Sequence, residues 1–249
     1  MSNKNIIFKY NFCDGGADTE NIGFNGICSK ENIKYNNKLS KQIWCSNPDS
    51  PCFQYLNGDY SYEQLEGKIL ENREWYSCYE SKFFREHDGW EGHMGWDHTG
   101  QGRPRMLSSW VDKNSLCVMT TRNPNASEPN RIVFAVFLAS YCYPGDERIA
   151  GYIKAHEKYR IKFTPKEARE LLLWKYHANK NNPTNPKWGS GLTRPFSNEG
   201  ATALLHDIMK IKQSTADAKL AKDFFEHFCE LNDFDAKSPP KADGALLYQ

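Results

Sequence analysis

The sequence predicts an α+β fold, and three observations carry that expectation. A stretch over 115–163 holds apolar runs of strand type, the period changes to that of helices from Thr164 onward, and the stretch over 1–112 carries four turn-flanked cysteines where long periodic runs are missing. The corresponding division is a cysteine-rich, zinc-stapled module over 1–112, strands plus a C-terminal helical layer over 113–234, and a mobile tail over 235–249.

The cysteines come first. Cys13, Cys28, Cys45 and Cys52 lie in Cys13-Asp14-Gly15-Gly16, Gly26-Ile27-Cys28-Ser29 and Trp44-Cys45-Ser46-Asn47-Pro48-Asp49-Ser50-Pro51-Cys52, where Gly, Asn and Pro permit turns that bring thiolates together. The gaps between them are uneven and wider than those of paired zinc knuckles, so two readings stand: a structural Zn2+ held by these four, or unrelated thiols in a loop-rich module. Cys78 is the spare candidate ligand, whereas Cys117 and Cys142 lie in apolar runs and Cys229 on the apolar face of a late helix, and all three read as small buried hydrophobes.

The segment from His87 to Arg105 packs three histidines, three acids, two tryptophans and five glycines into one short stretch. No continuous apolar face fits that pattern, so it is a loop of the kind that carries function. As an enzyme, His87, His93 and His98 can hold a catalytic metal such as Mg2+ or serve as acid and base, with Asp97 orienting one imidazole. As a binder, Trp90 and Trp96 supply stacking faces while Arg103 and Arg105 grip phosphate. As a plain surface loop, its histidines are solvated.

The strands follow, over Ser115–Thr121, Arg131–Tyr143 and Tyr159–Phe163, with the turn-rich Asn123–Asn130 pairing the first two antiparallel. Thr164, Pro165 and Glu167 then form a capping box with proline at the first helical position, and Ala168, Leu171, Leu172 and Tyr176 extend a helix to about Asn179. Ser197 caps a second helix presenting Ala201, Leu204, Leu205 and Ile208. Ser214 with Asp217 caps a third presenting Ala221, Phe224, Phe225 and Phe228. The connection Asn185–Phe196 places Trp188 and Arg194 among two glycines. It reads either as a polar site in which Trp188 stacks, or as a packed loop with Trp188 and Phe196 in the core.

Composition narrows the function classes. A chain of 249 residues with a net charge of +1 cannot coat nucleic acid by bulk charge, so any polynucleotide binding is confined to a local site. No apolar stretch approaches the length of a membrane span and no secretory h-region follows Met1, which predicts a cytoplasmic protein with no membrane partner and reduced thiols. Pro48-Asp49 with Glu80-Ser81-Lys82 mimics a magnesium-nuclease motif off its usual strand, and there is no phosphate loop or serine-nucleophile elbow.

The order of Asn130–Leu138, a charged loop around Gly151, and Tyr159–Phe163 resembles the barrel core of PUA-like domains of the EVE and ASCH kind, over about 50 residues. That resemblance implies a small antiparallel β-barrel that reads nucleic acid, often a modified base, in a bacterial defence (restriction) or RNA-modification setting. The expected function is therefore nucleic-acid binding through Trp90, Trp96, Arg103, Arg105, Trp188 and Arg194. The alternatives are a metal-dependent restriction-type endonuclease and a protein-interaction module.

Overall fold

A computed structural model describes residues 4–71, 78–85, 90–96 and 102–248. In chain order these form β1 (Asn5–Lys9), α1 (Lys30–Lys38), α2 (Ile43–Ser46), α3 (Pro51–Asn57), α4 (Tyr62–Glu71), β2 (Glu91–His93), β3 (Leu116–Thr121), β4 (Ile132–Tyr143), β5 (Tyr152–Lys162), α5 (Pro165–Glu170), β6 (Thr193–Phe196), α6 (Asn198–Lys212) and α7 (Ala218–Leu231). The fold class is α+β. Among the described residues no helix is long and apolar enough to cross a membrane.

Two compact units divide the chain at Asn11 and Trp90, not near residue 112: residues 1–10 with 90–249, and residues 11–89. The reason lies in β1. Ile6, Ile7 and Phe8 are buried, and the strand inserts between β3 and β6, so the start of the chain belongs to the sheet.

The sheet runs β2-β5-β4-β3-β1-β6. It is mixed, contrary to the antiparallel expectation, because β1 lies parallel to β3 with Ile7 opposite Val118. A parallel pair needs a long crossover, and the chain between β1 and β3 provides it. Register shifts at Met119/Thr120 and between Phe137 and Tyr141 bend the strands. The ends of the order curl toward each other: a Cβ on Gly92 of β2 would fall 2.7 Å from Phe8 Cζ of β1, so a larger residue there would have to displace the buried Phe8 ring. The sheet carries continuous core, with Val118, Phe134, Val136, Phe137 and Ile153 inaccessible to solvent.

The capping box at α5 forms as its residues dictate, Thr164 Oγ1 accepting from Glu167 N and the Glu167 carboxylate accepting from Thr164 N. The helix nonetheless stops at Glu170 instead of reaching Asn179. Leu171 O accepts from Val133 N at 2.9 Å and Leu173 N donates to Arg131 O at 2.8 Å, so pairing with β4 replaces helical bonds. Ser197 caps α6 through Gly200 N, and α6 and α7 bury the predicted faces. The tail expected to be mobile is docked: Gly244 N donates to Lys175 O, Ala245 N to His177 O, and Ala245 is buried.

In residues 11–89, four short helices follow a loop held by close backbone approach. A Cβ on Gly15 would lie 2.0 Å from Gly26 O.

Candidate anion-binding cluster and thiol cavity

At one end of the sheet, four cationic side chains gather around one carboxylate. Lys9 ends β1, Arg131 precedes β4, Arg194 lies on β6 opposite Ile7, and Arg122 follows β3. Glu128 binds Arg131 through two contacts, Nε to Oε1 at 2.6 Å and Nη2 to Oε2 at 3.1 Å. It also meets Arg122 at 3.5 Å and accepts from Trp174 Nε1 at 3.3 Å. Lys9 and Arg194 make no ion pair with any described carboxylate.

Trp188 organises the cluster. It is buried, its Nε1 donates to Gly191 O at 2.9 Å, and the guanidiniums of Arg131 and Arg194 lie 4.8 and 5.4 Å from its ring centre. Gly189 and Gly191, at φ +72° and +91°, turn the loop that places it. Of the two sequence readings for this loop, the packed one describes Trp188, since its ring is taken up by cations. Arg194 beside it stays partly open to solvent.

The electrostatics are strained. Burial, followed by the charge of Arg131, lowers the pKa of Lys9, with Arg122 and Arg194 adding and Glu128 opposing. Burial, then Arg194, pushes His177 down to about 4. Arg131 Nη1, Arg194 Nε and His177 Nε2 are all buried without a hydrogen-bond partner among the described residues. Buried nitrogens of this kind are rare, and each costs roughly 1–3 kcal/mol.

The other predicted contacts disperse. Trp90 carries Arg160 at 5.6 Å from its ring. Trp96 is 39% exposed and bridges Pro104, while Arg105 N donates to Gly95 O and Arg105 O accepts from Gly151 N. Arg103 is exposed. A Cβ on Gly95 would stand 4.0 Å from Leu192 Cδ1, so the described part of the first loop approaches the second there. His93 lies on β2, its pKa lowered by burial. His87, Asp97 and His98 lie outside the described residues.

Sequence reasoning missed Lys9, Arg131 and His177. It also missed an aromatic row in which Tyr143, Tyr152 and His93 sit directly opposite one another on β4, β5 and β2. Their ring centres are 5.2 Å (Tyr143 to Tyr152) and 5.9 Å (Tyr152 to His93) apart. The alternation Tyr141-Cys142-Tyr143 was the available signal for it.

In residues 11–89, Cys13, Cys28, Cys45, Cys52 and Cys78 all line one cavity of about 20 Å³. Asp14 fastens the first pair by accepting from Ser29 N at 2.9 Å and Ser29 Oγ at 2.6 Å, and Cys13 and Cys28 Sγ stand 3.4 Å apart. Asn37 Nδ2 donates to Cys45 O at 2.6 Å, and Ser50 caps α3 just before Cys52. Hydrogen bonding to Cys28 and burial raise the Cys13 thiol well above its usual range. Cys52 and burial do the same to Cys45, while the bond from Cys45 lowers Cys52. Burial and the Glu80 charge raise Cys78. Among the described residues no three His, Cys, Asp or Glu side chains stand close enough together to hold a metal ion as placed. The thiols are arranged as two pairs with Cys78 near both.

No family model, curated protein or solved structure matches the chain.

Proposed function

We propose that this protein binds nucleic acid at a local site, with a backbone phosphate seated against Lys9 and Arg194. The observation that carries this reading is the set of buried, unpartnered nitrogens on Arg131, Arg194 and His177 beside a lysine that has no carboxylate of its own. A site holding four cations against one carboxylate is costly without an anion, and a phosphate offers Lys9 and Arg194 the acceptor oxygens that no described carboxylate gives them. Lys9 and Arg194, half-buried, form its accessible edge. Arg131, held by Glu128 and backed by Trp188, lies behind them and adds potential without leaving its place. The near-neutral net charge makes such binding site-like.

Fluorescence anisotropy with labelled single- and double-stranded DNA and RNA at low salt tests this. Lys9→Ala and Arg194→Ala are each expected to weaken binding about tenfold, the scale of one charge-assisted contact. Running modified and unmodified oligonucleotides side by side reads whether a base modification adds affinity. Absence of binding to every oligonucleotide, or variants that bind as the parent does, would remove the proposal.

A further inference from the structure

We infer that residues 11–89 contain a mononuclear Zn2+ site in which Cys13, Cys28, Cys45 and Cys52 supply four thiolates and Cys78 stands beside them as a fifth thiol that is not required. Five cysteines, scattered through the sequence from Cys13 to Cys78, reach one cavity wall. Chance packing of small hydrophobes does not gather five thiols in this way, whereas Cys117, fully buried in the sheet unit, has only Cys142 near it.

The chemistry of the wall points to a cation. Among the described residues its ionisable groups are the five thiols and Glu80, with no lysine, arginine or histidine in the lining. None of these described groups can balance thiolate charge, whereas a divalent ion can. Thiolates select soft or borderline metals, which favours zinc over magnesium or calcium. The cavity, about 20 Å³, has room for a single ion.

The geometry is two half-sites. Cys13 and Cys28 sulfurs are 3.4 Å apart, near the roughly 3.8 Å edge of a tetrahedron with Zn–S bonds of about 2.3 Å. Each half is locked by its own backbone anchors, Asp14 to Ser29 for the first and Asn37 to Cys45 for the second. As placed, the halves do not form a single group, so metal entry draws the second pair toward the first across the cavity. Binding energy is then folding energy for this unit.

The test is metal analysis of the purified chain, with Co2+ substitution as the spectroscopic probe. About one zinc per chain is expected, and Co2+ should give sulfur-to-metal charge-transfer absorption of a four-thiolate site. Cys45→Ser should lose most of the metal, while Cys78→Ser and the remote Cys142→Ser should retain it. Far-ultraviolet circular dichroism of Cys45→Ser separates metal loss in a folded chain from general unfolding, and Co2+ bands persisting in folded Cys45→Ser would overturn the ligand assignment. Metal-free native protein with all eight thiols titratable, iron with inorganic sulfide, or disulfides joining the pairs would each overturn the inference.

Discussion

Replacing Arg194 by leucine separates the electrostatic account from ordinary packing. Arg194 loses its cation–π contact with Trp188, worth roughly 0.5–2 kcal/mol. The same change removes a buried unpartnered Nε–H costing roughly 1–3 kcal/mol, and relieves repulsion on Lys9 and His177. The two sides nearly cancel, so folding stability at pH 7 should change by less than about 1 kcal/mol while nucleic-acid affinity falls. The pH dependence is more diagnostic. Above pH 6.5 the His177 imidazole is neutral in both the folded and the unfolded chain. As pH falls, the unfolded chain takes up a proton near 6.5, and the folded chain does so only near 4. The parent therefore loses stability across that window, by about 2 kcal/mol at pH 5 and about 3 kcal/mol once pH is below 4. Without Arg194 the folded pKa rises and that acid loss shrinks, although burial, the larger cause, still holds the value under 6.5. Urea unfolding at pH 7 and pH 5, with a nuclear magnetic resonance titration of His177, measures both. An unmoved His177 titration, or a stability drop at pH 7 of about 2 kcal/mol or more, beyond what the lost contact with Trp188 can supply, would refute the reasoning.

Two further perturbations address the frame that holds the site. Lys212→Met breaks a buried pair in which Glu167 Oε2 accepts from Lys212 Nζ at 2.9 Å and from Thr164 N at 2.8 Å; denaturant unfolding should show a loss of about 3 kcal/mol, with part restored by adding Glu167→Gln. Gly244→Ala places a Cβ 2.3 Å from Trp174 O and Lys175 C, so the C-terminal segment should undock; hydrogen exchange should then show the amide of Ala245, which bonds His177 O, losing its protection.

Local signals were legible in the sequence and long-range juxtapositions were not. The capping box at Thr164, the Ser197 cap and the aromatic face of α7 follow from neighbouring residues, and each stands where its residues place it. The end of α5 was not legible, because Leu171 and Leu173 give up helical bonds to pair with Val133 and Arg131, partners distant in sequence. β1 was hidden by its brevity, a few apolar residues before Lys9, and β2 by glycine, whose role appears only when Phe8 lies over it. Trp188 and Arg194 were readable as a pair within one turn-rich loop. Lys9 and Arg131 join them only through the sheet, whose order interleaves the first strand of the chain with its last. The turn-flanked cysteines announced a convergence, and Cys78 completed the set of five that reach the cavity.

The most direct test of the central claim is the salt dependence of binding to a single-stranded oligonucleotide, with the parent and Arg194→Ala titrated from about 50 to about 200 mM salt. Each phosphate neutralised on a single strand contributes about −0.7 to the slope of log Kobs against log salt. One phosphate seated against Lys9 and Arg194, with Arg131 adding potential behind them, predicts a parent slope of about −0.7, moved toward zero in Arg194→Ala. A parent slope near zero, or one that Arg194→Ala leaves unchanged, would contradict the assignment of this cluster as the phosphate seat.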